Sequence, residues 1–196
     1  MMLHYPESYA AIAPWARQNN IPLGVARRRF AQYAVLHAIA TSHRLNAMLV
    51  FKGGNALDFV WHPNRSTIDL DFSADMNLVD TAFDQSVLQT LLQRSLAASG
   101  RILGVSFAVH SVKRQPPGEG KTFIIFTASI GYALEDDVRN RQRIEQGEPS
   151  KAVIPVEVSM NEPICGDAFV AVGAGRQLRV CTIEDIVAEK LRALLQ

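Results

Sequence analysis

Cysteine is scarce in this chain: Cys165 and Cys181 are the two present, and they stand far apart. That excludes a disulfide framework and a cysteine-based zinc site, and both residues read as reduced, small apolar side chains of a cytosolic protein. Long apolar runs are also missing. No segment approaches the roughly 18 consecutive apolar residues that a membrane helix needs. The first ten residues, with His4, Pro6 and Glu7, contain no apolar stretch of signal-peptide length. The sequence thus predicts a cytoplasmic protein that avoids the membrane. Neither sign of charge dominates: the formal net charge is +1, which excludes a polyanion trap or an acidic tail. No internal repeat and no low-complexity segment is present. Histidine offers no metal pair, because His37 and His43 are six apart on a predicted helix and do not share a face. A full Walker A loop is absent too, since Gly53-Gly54 continues as Asn55-Ala56-Leu57.

What is present is an ordinary core-forming composition, 48% hydrophobic and 20% charged over 196 residues, enough for a single domain spanning 1–196. Helical periodicity places helices from Ser8 to Gln18 and from Val25 to about His43, so that residues 1–45 form a helical N-terminal part. The run Met48–Phe51 reads as a buried strand that stops at Gly53-Gly54, with a short helix from Asn55 to Trp61 and a turn at 62–64. Period-two alternation marks Ile68 to Phe72 as a strand. Asp80 or Thr81 is placed to cap a helix that runs to about Ala98. Residues 102–112 and 121–134 form a hairpin across Pro116-Pro117-Gly118, 135–150 an exposed connection, and 152–160 a further strand. Short strands at 169–172 and 178–181 complete an α/β core over 46–181. Thr182, with Asp185 three residues later, starts a C-terminal helix over 182–196. The order predicts an α+β domain, a mixed β-sheet flanked by helices.

The chemistry concentrates on Asp69 and Asp71. Two apart in a strand, they project from one face while Ile68, Leu70 and Phe72 take the other. Such a pair is either solvent decoration or the oxygen-donor half of a hard-cation site, and magnesium is commonly held by one or two carboxylates plus substrate phosphates. The upstream turn favours the second. Lys52-Gly53-Gly54-Asn55 closes a strand and opens a helix, where glycines let backbone N–H groups approach a phosphate. Lys52 adds a point charge there and Asn55 a side-chain donor. Glu157, flanked by Val156 and Val158, is the candidate third carboxylate for a metal-assisted displacement, or else an outward-facing strand residue. Lys190 falls at the edge of the stripe Ile183, Ile186, Val187, Leu191 and Leu194, where a lysine either snorkels outward or reaches an anion. The clusters Arg27-Arg28-Arg29 and Arg139, Arg141, Arg143 read as solvated faces, or as phosphate contacts if a nucleic-acid site adjoins them.

Phe51-Lys52-Gly53-Gly54-Asn55-Ala56-Leu57 followed by Ser66-Thr67-Ile68-Asp69-Leu70-Asp71-Phe72-Ser73 resembles the nucleotidyltransferase toxins of the AbiEii/AbiGii type. The tail Ile183–Leu194 resembles a later motif of that family, and Val156-Glu157-Val158-Ser159 its intermediate strand. The resemblance spans roughly residues 48–196. It implies a polymerase-β-like nucleotidyltransferase fold with 46–181 as catalytic core, metal-binding acids at Asp69 and Asp71, a phosphate turn at Gly53-Gly54 and a nucleotide-contacting lysine at Lys190. It further implies magnesium (or manganese) as cofactor, an NTP as substrate, RNA such as a tRNA end as acceptor, and a cognate antitoxin. Two departures stand out: Asn55 occupies a position that is usually Thr or Ser, and the family's further C-terminal helical region is not in this sequence. The rival expectations are a small-molecule nucleotidyltransferase, an Asp-x-Asp glycosyltransferase, and a non-catalytic nucleotide-binding module.

Overall fold

The computed structural model describes residues 4–61, 67–80, 83–118, 123–173 and 175–195. The turn expected at 62–64 and Thr81 as a cap lie outside these residues. Strands β1 (Leu49–Lys52), β2 (Leu70–Ala74), β3 (Ser106–Gln115), β4 (Ile125–Ala133), β5 (Val153–Ser159), β6 (Asp167–Ala171) and β7 (Gln177–Cys181) form one sheet in the order β3-β4-β5-β2-β1-β7-β6. The β2–β5 and β1–β7 pairs are parallel and the others antiparallel. With the helices, this is the expected α+β architecture with a mixed sheet.

Helices α1 (Ile12–Gln18) and α2 (Leu23–Thr41) open the chain, and α2 is buried on all sides from Arg29 to Ala40, where Arg29, Gln32 and His37 are enclosed along with Phe30, Ala34, Leu36, Ala38 and Ile39. Helix α3 (His43–Met48) leads into β1. Helix α4 (Gly53–Ala56) continues as a π-helical turn over Leu57–Trp61. Helix α5 (Gln85–Leu103) packs on α2 and β3. Its cap is Asp84, whose Oδ1 accepts the Val87 N–H at 2.8 Å, rather than Asp80. Gly104 ends it with φ +70°, a left-handed stop that glycine adopts without strain.

The connection expected at 135–150 contains helix α6 (Val138–Glu145), capped by Asp137. It buries no residue, so it carries no apolar stripe from which periodicity could have located it. Helix α7 (Ile183–Leu194) begins at Thr182, whose Oγ1 accepts the Asp185 N–H at 3.3 Å. No helix among the described residues is long and apolar enough to cross a membrane.

The sheet positions the site by alternation. In β4 and β5, Phe126, Ala128, Ile130, Ile154, Val156 and Val158 are buried, whereas Thr127, Ser129, Glu157 and Ser159 are only half-buried. In the centre, Phe51 of β1 lies opposite Phe72 of β2, with ring centroids 5.2 Å apart. Their sequence neighbours Lys52 and Asp71, themselves register partners, therefore emerge together on the other face.

Candidate active site

Three parallel or antiparallel neighbours set the cluster. Lys52 of β1 pairs with Asp71 of β2, and Asp71 with Glu157 of β5. Residues directly opposite in adjacent strands share a face, so the two carboxylates predicted from distant parts of the sequence are lateral neighbours. Asp69 precedes β2 by one residue and sits in a bend. Ile68, expected to point into the core with Leu70 and Phe72, is instead 53% exposed, because the strand begins only at Leu70.

Burial and the charges of Asp69, Glu157 and Glu189 push the Asp71 carboxyl up to about 6, with Lys52 acting in the opposite direction. Negative charge thus accumulates on a half-buried oxygen-donor surface, the electrostatic condition that a hard cation relieves. Among the described residues, no group of three or more Asp, Glu, His or Cys side chains converges tightly enough to hold a metal ion. The acids lie within electrostatic reach of one another without forming a closed cage.

Gly53 has φ +73°, and a Cβ there would collide with the Asp71 carboxylate. Glycine is therefore required twice over, for the left-handed backbone and for the close approach of the main chain to the acid. Gly54 has a Thr67 methyl 3.1 Å from where its Cβ would stand. The main chain at Gly53 is accordingly brought against Asp71, and that at Gly54 against Thr67.

Lys52 and Asn55 are placed differently from a pair of outward donors. Lys52 is buried, and its Nζ donates to Glu162 and, at 3.2 Å, to Glu189 of α7. Burial alone would depress the ammonium; the two carboxylates outweigh it, and the net shift is upward. Glu162 also accepts from Ser73 Oγ at 3.0 Å and lies 3.7 Å from the Arg192 guanidinium. Burial raises the Glu162 carboxyl, but Lys52 and the serine hydroxyls bring it below its ordinary value.

Asn55 is fully buried: its amide donates to the carbonyls of Asp69 and Thr67 and its Oδ1 accepts the Thr67 N–H. Gln32 of α2 donates to the carbonyls of Thr67 and Ile68 at 3.1 and 3.0 Å. Asn55 and Gln32 together fix the backbone that delivers Asp69. A hydroxyl at position 55, with one donor hydrogen, could not serve both carbonyls as the amide does.

Glu162, Glu189 and Gln32 are the participants that sequence reasoning missed. Glu162 follows its strand in an irregular segment and Glu189 looks like one of several helix-surface acids, so neither carries a periodic signal. Lys190 is exposed on α7. Toward the loop after β5, α7 turns Arg192, which lies near Glu162, and Asp185, which accepts the Cys165 N–H at 3.3 Å. The arginine clusters divide as well. Arg29 is buried against Asp58 and lies 4.8 Å from the Phe59 ring centroid, Arg27 pairs with Asp136 on the surface, and Arg143 pairs with Glu148. Cys181 is buried and held near 12, chiefly by burial and then by Asp185, so it is an inert thiol.

The family model for the nucleotidyl transferase AbiEii toxin of type IV TA systems matches residues 35–196. The chain belongs to the AbiEii family. The match contains every strand of the sheet and every acid of the cluster. Among solved structures, a candidate nucleotidyltransferase from H. pylori is 14% identical with a TM-score of 0.49, covering 87% of this chain and 59% of its own. JHP933 from Helicobacter pylori is 14% identical with a TM-score of 0.47, covering 86% of this chain and 56% of its own. The chain thus spans less than two thirds of the length of either. No curated protein matches it in sequence.

Proposed function

We propose that this AbiEii-family chain carries the nucleotidyl-transfer site of a toxin, moving an NMP from an NTP to the hydroxyl of an RNA acceptor such as a tRNA end, in the cytoplasm and under control of an antitoxin. The observation that carries this reading is the Gly53 backbone pressed against Asp71, which is itself beside Glu157. It brings a side-chain-free stretch of main chain next to an excess of carboxylate oxygens. That pairing suits a phosphate chain accompanied by a divalent cation far better than it suits a free anion or a sugar.

In this reading Asp69, Asp71 and Glu157 would be oxygen donors to magnesium, or manganese, with the substrate's phosphates supplying the remaining ligands, and the ion would neutralise charge at the phosphates. The backbone N–H groups at Gly53-Gly54 bind the phosphate oxygens. The acceptor hydroxyl oxygen attacks the α-phosphorus, the bond to the bridging oxygen of the β-phosphate breaks, and pyrophosphate leaves. Glu157 takes the hydroxyl proton. Lys52 offsets part of the acidic charge from beneath, held in place by Glu162 and Glu189, while Lys190 on the exposed side of α7 approaches the phosphates.

Incubation with labelled NTPs, magnesium and total RNA tests the proposal. RNA labelling that disappears in Asp69→Ala/Asp71→Ala is expected. Labelling of a small molecule with no labelling of RNA would move the reading to a small-molecule nucleotidyltransferase. A biological effect that survives the double substitution would make the chain a non-catalytic module.

A further inference from the structure

Beside the acid cluster lies a cavity of about 610 Å³ whose walls include Phe123, Ile125, Ser159, Met160 and Arg192. Its volume is in the range of small-molecule sites. Phe123 is 71% exposed, an uncommon position for a phenylalanine with an open cavity beside it, while Met160 is buried and forms an apolar floor. Arg192, half-exposed on α7, brings a planar cation to the rim and is oriented by Glu162. An accessible aromatic ring, a flat guanidinium, an apolar floor and one hydroxyl are the components that stack and hydrogen-bond a nucleobase.

The strand register fixes where this cavity stands relative to the acids. Ser73, Ser159 and Ile125 lie side by side on β2, β5 and β4, at the level two residues beyond Asp71, Glu157 and Thr127. Two residues along a strand is roughly 7 Å. Lys52, the last residue before Gly53, pairs with Asp71, and the chain then runs on away from the Ser73 level. The glycine turn, the carboxylates and the cavity therefore follow one another along the strand direction. A nucleoside triphosphate has the same order of parts: phosphates, the α-phosphate where the bond changes, then a ribose and its base.

We propose that this cavity holds the nucleobase of the incoming NTP, with Phe123 as the stacking platform and Arg192 as the polar contact at its edge. The proposal rests on the nucleotidyl-transfer reading above and deepens it. It assigns to Phe123, just before β4, and to Arg192 on α7 a role in nucleotide affinity and base choice.

Binding titrations on the intact chain test it, using each of the four ribonucleoside triphosphates and, separately, tripolyphosphate, all with magnesium. Phe123→Ala is expected to weaken NTP binding about tenfold while leaving tripolyphosphate binding unchanged, and Phe123→Trp to restore it. Because Phe123 is exposed, neither change endangers the fold. Equal affinity of parent and Phe123→Ala for every NTP overturns the assignment. If the KM for the RNA acceptor rises while NTP affinity holds, the cavity belongs to the acceptor's terminal base, which overturns it as well. Failure of both tripolyphosphate and NTPs to bind overturns the transferase reading itself. In that case, binding of nucleosides without phosphate, lost in Phe123→Ala, would keep the base site standing, and its absence would remove it.

Discussion

Asp71 carries a cost in stability at neutral pH, in keeping with the metal-binding role proposed for it. Its carboxyl is pushed up to about 6 from an ordinary 3.8, first by burial and then by Asp69 and Glu157. The folded chain therefore holds this proton more tightly than the unfolded chain does. Asp71's contribution weakens the fold as pH rises through the interval from 3.8 to about 6 and levels off above it. Glu162, held below its ordinary value chiefly against burial by Lys52, contributes in the opposite sense, and its contribution is lost as pH falls. Asp71→Asn should accordingly melt at a higher temperature than the parent at pH 7 in magnesium-free buffer, and near the parent at pH 4, while transfer falls by about a hundredfold or more. Calorimetry at the two pH values decides it; a variant that gains nothing at pH 7 would show that the repulsion is already relieved in solution. Lys52 is the counterpart. Its side chain is 9% exposed, and Glu162's is 20%. Lys52→Ala leaves Glu162 with only the more distant, half-exposed Arg192 as a cationic partner among the described residues and is expected to cost about 3 kcal/mol in urea denaturation. Glu189→Ala, where the acid is 35% exposed, should cost about 1 kcal/mol or less.

At the scale of elements, the turn between β1 and α4 does what no side chain could. Gly53 and Gly104 share nearly the same backbone, with φ +73° and +70°, but a Cβ would collide with a carboxylate only at Gly53; at Gly104 the nearest oxygen, from Glu135, would stand an ordinary 3.8 Å away. Gly53→Ala and Gly104→Ala should therefore both lose about 1 kcal/mol or more to left-handed strain. Only Gly53→Ala should also lose NTP binding, because its Cβ displaces the Asp71 carboxylate. Equal NTP affinity in the two variants would remove Gly53-Gly54 from the phosphate site. The segment before β2 is a second such device. Gln32 reaches it from α2 and Asn55 from α4, so the position of Asp69 depends on two helices rather than on its own strand.

For the molecule as a whole, the notable feature is how α7 ends. Ile186 is buried, but Val187, Leu191, Leu194 and Leu195 are 47%, 56%, 81% and 88% exposed. A contiguous apolar stripe of this kind binds amphiphilic dyes and drives self-association. Val187→Ser/Leu191→Ser is expected to reduce dye fluorescence and concentration-dependent light scattering while shifting Tm by only a few degrees, since the side chains are already in contact with water. A large drop in Tm would instead mean that the stripe is packed in solution. The stripe was legible as apolar in the sequence and was expected to set which way Lys190 points. In the folded chain, Ile186 is the stripe residue that is buried, and α7 meets the site through Glu189 and Arg192.

What the sequence determined by itself was whatever depends on local order. The strand around Asp71, the Gly-Gly strand end, the hairpin on either side of Pro116-Pro117-Gly118 and the Thr182 cap all follow from neighbours within a few residues and are present in the fold, whereas the strand parity expected to carry Asp69 is not, because β2 begins only at Leu70. The motif order also pointed to the family to which the chain belongs. Only the tertiary structure decided the rest, because register between distant strands is set by core packing and leaves no trace in spacing. It placed Glu157 beside Asp71, buried Lys52 under two acids, and turned Asn55 and Gln32 inward to fix Asp69. It also split a run of three arginines into a buried ion pair, a surface pair and a half-buried side chain, since partners such as Asp58 and Asp136 are supplied by the fold. An acid pair can be read from a strand's own period; the charges that tune it come from elsewhere in the chain and meet it only once the sheet has formed.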